Sequence, residues 1–450
     1  MPSLVPRKIF QRLSTIKPIQ WLIIAGVFHL VFTLSIFLIG HFRILPNHFD
    51  RYGVGISFAV DGVVYRRLIS DLAEALKYRG VGVWLEVQAP LHCRLYSLSF
   101  IFPGSLIGYN ILAAEFFNLI YYLGILVIVY LLANEIFDST TGLATAATIA
   151  LWPSFLLHST QLIRDSASTL FMLSLMLILV MLLRRTMMWK RSLWTSLIAV
   201  AVVIIFWATR GNVWNVVVAS LGFTSILFLV RLRRERKLLL PNLVLLIVVI
   251  GAVLIVPTRI ESGTVSGARS PTSVIAIPGG SNRSSRSMWA RLITQIRARR
   301  LGFYVYGAQA SNIDGDVTFD DAGDIIRYLP RAAVVGFFAP FPRMWFEAGT
   351  SGRTGRALAA LETMAMYALY IPMFYCVWSE RRRLSVWLLF LTGSVGLIGL
   401  GLVVINAGAL YRLRYVFWMM MIVLAIKGIK NLRSQSGPPL GPQASSPAGS

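Results

Sequence analysis

Long apolar stretches separated by short polar ones run through most of this chain. About ten of them reach or approach the length of roughly 20 residues that a helix needs to cross a bilayer. Backbone polar groups cannot be left unpaired in lipid, so the pattern predicts an all-α fold, a polytopic membrane helical bundle. The predicted spans are residues 20–40, 110–134, 143–157, 162–183, 193–209, 213–230, 238–256, 357–378, 384–405 and 415–429. The first is too long for the core of a signal peptide and lacks a clear cleavage site, which indicates an uncleaved signal anchor.

Two longer polar segments interrupt the apolar pattern, at about residues 43–108 and 257–350. Each ends in a short apolar run that proline breaks, at residues 95–107 and 332–346, and we expect these runs to form interfacial or re-entrant helices. The predicted organisation is an N-terminal segment, residues 1–19, one membrane domain, residues 20–430, and a tail, residues 431–450. The tail is rich in Pro, Gly and Ser and is predicted to be disordered.

The positions of the basic residues predict the orientation. Lysine and arginine precede the first span and cluster at residues 184–191, 231–237 and 380–383, as expected of cytoplasmic loops. Both termini are therefore predicted to be cytoplasmic and both long polar segments external. The same distribution explains the formal net charge of +24 without nucleic acid, which we do not expect as a partner. A hydrophobic content of 56% and a mean hydropathy of +0.69 exclude a soluble domain.

The predicted topology gathers charged and aromatic side chains at the external border. Charges at membrane depth are costly and usually face a cavity or a partner, and arginine suits bidentate binding of phosphate. A carboxylate beside several arginines could therefore bind and activate a charged, lipid-linked substrate. The candidate catalytic residue is Asp61, and the candidate substrate-binding residues are Tyr65, Arg66, Arg67, Arg164, Asp165, Arg210, Arg412 and Arg414.

Each candidate also has a plainer interpretation. Asp61 could be a helix N-cap. Arg164 and Asp165 could form a structural ion pair. Arg412 and Arg414 could be anchors at the membrane interface.

Further side chains stay ambiguous as well. Tyr65 could serve packing alone. Glu115 and Glu362 lie within predicted spans, where either could pair with a buried arginine. His29, inside the first span, is expected to be packed or hydrogen-bonded rather than a ligand.

The second external segment adds a basic run and an acidic run. The basic run, residues 287–300, could lie on anionic headgroups or contact an acceptor. The acidic run, residues 312–324, lacks the closing glutamate of a calcium loop, so a divalent metal is possible but not implied. No nucleotide-binding or zinc-protease motif is present, and no cofactor is expected.

Several motifs together resemble the GT-C class of integral-membrane glycosyltransferases, most closely its bacterial branch related to protein O-mannosyltransferases and aminoarabinose transferases. The first external segment contains Asp61-x-x-x-Tyr65-x-x-Leu68, which is similar to the acidic motif of that family. One departure is Gly62, which stands where many relatives carry a second acid. The other similar stretches are residues 89–96, 102–104, 133–137, 150–153, 162–165 and 411–415.

The resemblance implies transfer of a sugar from a polyprenyl-phosphate donor to a glycan, lipid or protein acceptor outside the cytoplasm. It also implies a bacterial inner-membrane location. Asp61 would act as general base, arginines would stabilise the departing phosphate, and the sugar carbon would invert. Two alternatives remain: an oligosaccharide polymerase or ligase, and a flippase or transporter of lipid-linked saccharides. Transporters often show internal repeats and polar groups near the midplane, whereas the charges here lie at one border.

Overall fold

The computed structural model describes residues 18–46, 48–50, 55–56, 60–259, 288–306, 312–346 and 352–435. It confirms an all-α membrane bundle: nine helices in these ranges are long and apolar enough to span a bilayer, and a bent pair makes up to ten. The spanning helices are α1 (Pro18–His41), α6 (Ile111–Ile136), α9 (Asp165–Arg184), α10 (Trp189–Arg210), α11 (Trp214–Glu235), α12 (Leu240–Arg259), α15 (Gly352–Ser379), α16 (Leu384–Val403) and α18 (Tyr415–Gln435).

The bent pair takes the place of the predicted span at residues 143–157. It consists of α7 (Ser139–Ala150) and α8 (Pro153–Ser159), whose axes differ by 69°. Asp138 caps α7 by accepting a hydrogen bond from the Thr141 amide, and Pro153 begins α8, where its missing N–H costs nothing. The bend turns the short α8 away from the course of α7.

The described part of the first external segment contains two antiparallel strands and four short helices. The strands are β1 (Phe49–Asp50) and β2 (Gly55–Ile56), and the helices are α2 (Val60–Glu74), α3 (Val81–Glu86), α4 (Leu91–Ile101) and α5 (Gly104–Ile107), with a π-helical turn at Ala75–Arg79. The expected break at Pro103 separates α4 from α5. A second apolar core joins Ile69 and Leu72 of α2, Tyr96 of α4 and Tyr121 of α6.

The second external segment is tied closely to the bundle. It contains α13 (Met288–Tyr306), α14 (Ala322–Phe338) and a 3-10 turn at Pro342–Trp345. The predicted helix at residues 332–346 thus begins earlier and ends before the prolines. α14 packs along α16 so closely that a Cβ at Gly336 would lie 2.1 Å from the carbonyl oxygen of Leu397.

The main core runs along the interior of the spanning helices, and α18 is largely buried within it. α17 (Ala407–Leu413) is a short helix just before α18. Helix α18 continues to Gln435, so the predicted tail boundary at residue 431 falls inside a helix. Residues 1–17 and 436–450 lie outside the described residues, and the orientation of the bundle stays a prediction.

Candidate functional site

A cavity of about 1240 Å³ opens where the external segments meet the ends of the spanning helices. One part of its wall is apolar and includes Leu292, Ile296, Leu400 and Val403 from α13 and α16. Another part is polar and strongly basic. The charged residues that line it are Asp61, Arg164, Arg210, Arg299, Arg356 and Arg412. Among the described residues, five guanidinium groups face one carboxylate, and this lining suits an anionic ligand with an apolar portion.

Four charged side chains form a continuous chain of ion pairs at the cavity wall. Arg412 pairs with Asp61 through Nη2, and its Nε lies 3.1 Å from Oδ2 of Asp165. The other oxygen of Asp165 accepts a hydrogen bond from Nη1 of Arg210 at 2.5 Å, and the same nitrogen bonds the Ser168 hydroxyl at 3.1 Å. We call Asp61, Arg412, Asp165 and Arg210 the ion-pair chain. In it, two carboxylates pair with two guanidinium groups.

Helix ends bring these four side chains together. Asp61 and Asp165 stand in the first turns of α2 and α9, where the helix dipole favours a carboxylate. Arg210 stands in the last turn of α10, where the dipole favours a cation. Arg412 lies on α17, whose N-terminus is capped by Asn406 through the Ala409 amide. The sequence therefore places each charge at a helix end that stabilises it or on a short capped helix.

Arg412 is the most strongly held member of the ion-pair chain. Burial by itself would lower the pKa of Arg412, but the carboxylates of Asp165 and Asp61 outweigh it and raise that pKa above its usual range. The side chain of Asp61 is 50% exposed, whereas those of Arg412 and Asp165 are 17% and 7% exposed. Asp61, at the exposed end of the ion-pair chain, can thus exchange partners, while Asp165 is enclosed.

Arg164 adds a further positive charge beside the ion-pair chain. It lines the cavity next to Asp165, and in the described part of the chain no carboxylate pairs with it. A guanidinium that borders a cavity without a carboxylate partner is free to bind an anion.

Four of the predicted site residues lie outside both the cavity lining and the ion-pair chain. Tyr65 packs edge-on against the ring of His92 at 4.7 Å, and burial raises the pKa of its phenol. Arg66 donates a hydrogen bond to the Tyr109 carbonyl at 3.1 Å. Arg67 is exposed on the surface of α2. Their role in binding substrate stays a prediction that the geometry does not support.

Arg414 is the fourth. It is fully buried, donates to the Ala339 carbonyl and stacks on the ring of Trp418 at 3.6 Å. Burial lowers its pKa to about 10. These contacts indicate a structural role for Arg414, but not the predicted anchor at the membrane interface, whose charged head group would reach water.

The sequence reading missed several residues that line the cavity. Arg356 and His158 are among them: each stands in a short polar stretch beside a predicted span, and the sequence there carries no signal of the direction in which the side chain points. Arg299 belongs to the basic run that was expected to lie on headgroups; in the structure it borders the cavity. Its neighbour Arg300 is buried and donates to the carbonyls of Leu402 and Asp314.

The acidic residues within spans have partners other than those suggested. Glu115 bonds Nδ1 of His29 at 2.7 Å rather than an arginine, which confirms His29 as a hydrogen-bonded residue. Glu362 accepts hydrogen bonds from the Ser154 amide at 2.6 Å and from the Tyr411 hydroxyl. The suggested pairing of either glutamate with a buried arginine is not seen in these contacts.

The acidic run of the second external segment serves the fold. Asp321 and Asp324 form a capping box at the start of α14, and Asp314 pairs with Arg331 at 2.8 Å. Within the described ranges, no group of three or more His, Cys, Asp or Glu side chains is placed to hold a metal ion. The expectation of a reaction without a cofactor stays a prediction.

Comparison with known families points to one class of enzyme. The model of the family described as "Oligosaccharyl transferase STT3, N-terminal" matches residues 100–273. This family belongs to the GT-C membrane glycosyltransferases, so the match supports glycosyl transfer from a lipid-linked donor. The matched residues contain Arg164, Asp165 and Arg210 of the site but precede Arg412 and follow Asp61. No curated protein shows a significant match to the chain.

Proposed function

We propose that this protein transfers a sugar from a polyprenyl-phosphate donor to an acceptor hydroxyl on the extracytoplasmic side of the membrane. The observation that carries the proposal is the ion-pair chain: one partly exposed carboxylate, Asp61, is held by Arg412 at the wall of a basic cavity with an apolar side. The match to a GT-C family supports the same class of reaction. Asp61 is the proposed general base.

In the proposed complex the donor is divided between the two parts of the wall. The phosphate meets Arg164, Arg210 and Arg412, whose guanidinium groups offer paired donors to its oxygens. The isoprenoid lies along the apolar face that α16 provides. There Gly399 leaves open space, since a Cβ at that position would meet no atom within 4 Å. A bacterial inner membrane is the proposed location.

Binding of the phosphate would also activate Asp61. A phosphate competes with the carboxylate for Arg412, and Asp61 is the exposed and therefore weaker partner of that guanidinium. Asp165 keeps the inner side of Arg412 in place while the exchange occurs. The freed carboxylate then accepts a proton from the acceptor hydroxyl.

The chemical step is a direct displacement. The acceptor oxygen forms a bond to the anomeric carbon while its proton passes to Asp61. The bond between that carbon and the phosphate oxygen breaks, and the electron pair stays on the phosphate, where the arginines stabilise the growing charge. A single displacement inverts the configuration at the anomeric carbon.

Replacement of Asp61 by asparagine tests the proposal. Asp61→Asn keeps the size of the side chain but cannot accept the proton, so transfer from a labelled polyprenyl-phosphate sugar should be abolished while the protein still reaches the membrane. Asp71→Asn is the matched control, because Asp71 is exposed on the same helix and does not line the cavity. Transfer by Asp61→Asn at the wild-type rate would remove Asp61 from the role of base.

The family match favours a second candidate, the transfer of a preassembled oligosaccharide. The matched family is described as an oligosaccharyl transferase. Donors that carry one sugar and donors that carry an oligosaccharide, offered to the same purified protein, separate the two reactions. A flippase would move either donor across the bilayer and leave its glycosidic bond intact.

A further inference from the structure

His158 borders the cavity close to the ion-pair chain. It lies on α8, the short helix that the bend after α7 turns away from the course of the preceding span. The residues of α8 that line the cavity are Ser154, Leu157 and His158. Arg164, just before α9, also lines it. The ring of His158 has two nitrogens, and each can donate or accept a hydrogen bond according to which one carries the proton.

Contacts on one edge of the ring determine which nitrogen carries the proton. Nδ1 of His158 lies 2.7 Å from the carbonyl oxygen of Ser154. A carbonyl oxygen can only accept, so Nδ1 must donate, and the proton of the neutral ring resides there. The hydroxyl of Tyr415 lies 3.1 Å from the same nitrogen and packs beside the ring. The Nδ1 edge is thus fully engaged.

The opposite edge is left as a hydrogen-bond acceptor. In the part of the chain that the structure describes, Nε2 of His158 has no hydrogen-bond partner. It is not sealed away either, in contrast to Nδ1 of His92 and Nε2 of His48, which are buried without partners. With the proton fixed on Nδ1, Nε2 presents a lone pair that the cavity can reach.

A lone pair at this point complements the arginines around it. Arginine offers only donors, which suits phosphate oxygens but cannot satisfy the hydroxyl protons of a sugar. Among the described lining residues Asp61 is the one charged acceptor, and in the proposed reaction it is committed to the hydroxyl of the acceptor. Tyr411 also borders the cavity and could cover the apolar face of a ring beside His158.

We propose that His158 accepts a hydrogen bond from a hydroxyl of the donor sugar and thereby forms a sugar subsite next to the phosphate-binding arginines. This inference rests on the proposed function and adds a division of the donor: arginines hold the phosphate, and His158 holds the sugar. It predicts that His158 discriminates between a glycosylated and a bare polyprenyl phosphate.

Binding to the full-length protein in nanodiscs tests the subsite. The probes are farnesyl phosphate and its mannosyl, glucosyl, galactosyl and arabinosyl esters. His158→Leu should weaken the tightest glycosylated probe about tenfold, the effect of losing one hydrogen bond to a neutral group, and leave farnesyl phosphate within about twofold of wild type. His158→Gln, which keeps an acceptor at similar reach, should restore most of the loss. His41→Leu is the control, because His41 is exposed and lies outside the cavity lining.

Each outcome bears on one of the two proposals. Equal weakening of bare and glycosylated probes, or no weakening of any, overturns the sugar subsite and leaves the proposed transfer intact. The sugar subsite is also overturned if the wild-type protein binds no glycosylated probe more tightly than farnesyl phosphate. A wild-type protein that binds none of the probes and transfers no sugar contradicts the proposed function itself. In turnover, His158→Leu should raise the apparent KM for the donor more than it lowers kcat.

Discussion

Asp61 and Arg412, 351 residues apart in the sequence, form an ion pair at the wall of the cavity. The pair joins the first external segment to the short helix that precedes the last span. Arg412 also lies against Asp165, which in turn pairs with Arg210. An exposed ion pair contributes little stability, whereas breaking an enclosed one is costly. We therefore expect Arg412 to serve function through Asp61 and stability through Asp165.

Replacement of Arg412 should separate these two roles. Arg412→Lys keeps the charge but loses the planar fork of guanidinium donors, and we expect transfer to fall about 100-fold, as when one charge-stabilising donor is lost. Arg412→Ala leaves Asp165 with Arg210 alone and should in addition lower the free energy of unfolding by about 3 kcal/mol. Thermal unfolding in detergent and the rate of sugar transfer measure the two effects.

The control for Arg412 is Arg327→Ala, since the Arg327 side chain is 85% exposed on α14. Its variant should keep wild-type stability and transfer. If Arg412→Lys transferred sugar at the wild-type rate, the guanidinium would not be part of the phosphate site.

The apolar pattern predicted the bundle well because each span is recorded locally in the sequence. Runs near 20 residues are long enough to identify a helix without knowledge of its neighbours. The bent pair is harder to predict: the pattern of residues 143–157 predicts one span, while α7 ends at Ala150 and α8 begins at Pro153 after a bend of 69°. Proline marked the break, but the angle depends on packing.

The site was predictable only where a charge interrupts an apolar run. Asp61, Arg164, Arg210 and Arg412 stand at the ends of helices, and all four line the cavity. Tyr65 shares a helix with Asp61 at a spacing of one turn, yet its ring enters the core between α2 and α4. The direction of such a side chain depends on tertiary contacts that a single sequence does not record.

The buried pair of His29 and Glu115 should stabilise the attachment of α1. Nδ1 of His29 lies 2.7 Å from Glu115, and Nε2 lies 2.9 Å from the Ser159 hydroxyl. His29→Leu leaves the buried glutamate with Thr33 as its remaining partner and should lower the free energy of unfolding by about 3 kcal/mol. The double variant His29→Leu/Glu115→Leu should recover much of that loss, because no polar group is then stranded.

A double-mutant cycle by thermal unfolding in detergent measures this coupling. Ser35→Ala is the control on the same helix, because Ser35 is exposed and bonds only the backbone of Val31. Strictly additive effects of the two leucine substitutions would show that His29 and Glu115 act independently.

The contact between α14 and α16 should not tolerate a side chain at Gly336. A Cβ there would lie 2.1 Å from the Leu397 carbonyl, and one at Gly401 would lie 2.0 Å from the Ala332 carbonyl. Gly336→Ala must push the helices apart, with an expected loss of about 1–3 kcal/mol in stability. Because α16 also forms the apolar wall of the cavity, transfer should fall as well.

Gly251→Ala provides the comparison, since a Cβ at Gly251, within α12, would meet no atom within 4 Å. It should be neutral or slightly stabilising, as alanine favours a helix. Equal melting temperatures for the two alanine variants would argue against the close contact of α14 with α16.

His92 should make the protein less stable as the pH falls. It is fully buried in α4, its Nδ1 has no partner, and burial together with the nearby charge of Arg164 lowers its pKa from 6.5 to about 3. Below pH 6.5 the unfolded chain takes up a proton that the folded chain does not. As the pH falls from 6.5 to about 3, the free energy of unfolding therefore declines by about 1.4 kcal/mol per pH unit. Above pH 6.5 His92 does not affect the stability.

His92→Phe removes this titration and keeps an apolar ring against Tyr65. Melting temperatures measured from neutral to mildly acidic pH should therefore decline less steeply for His92→Phe than for wild type. His41→Phe should keep the wild-type slope, because His41 is exposed and lies outside the core around Tyr65. Parallel slopes for His92→Phe and wild type would mean that His92 is protonated in the folded protein, and that the core around Tyr65 admits its charge.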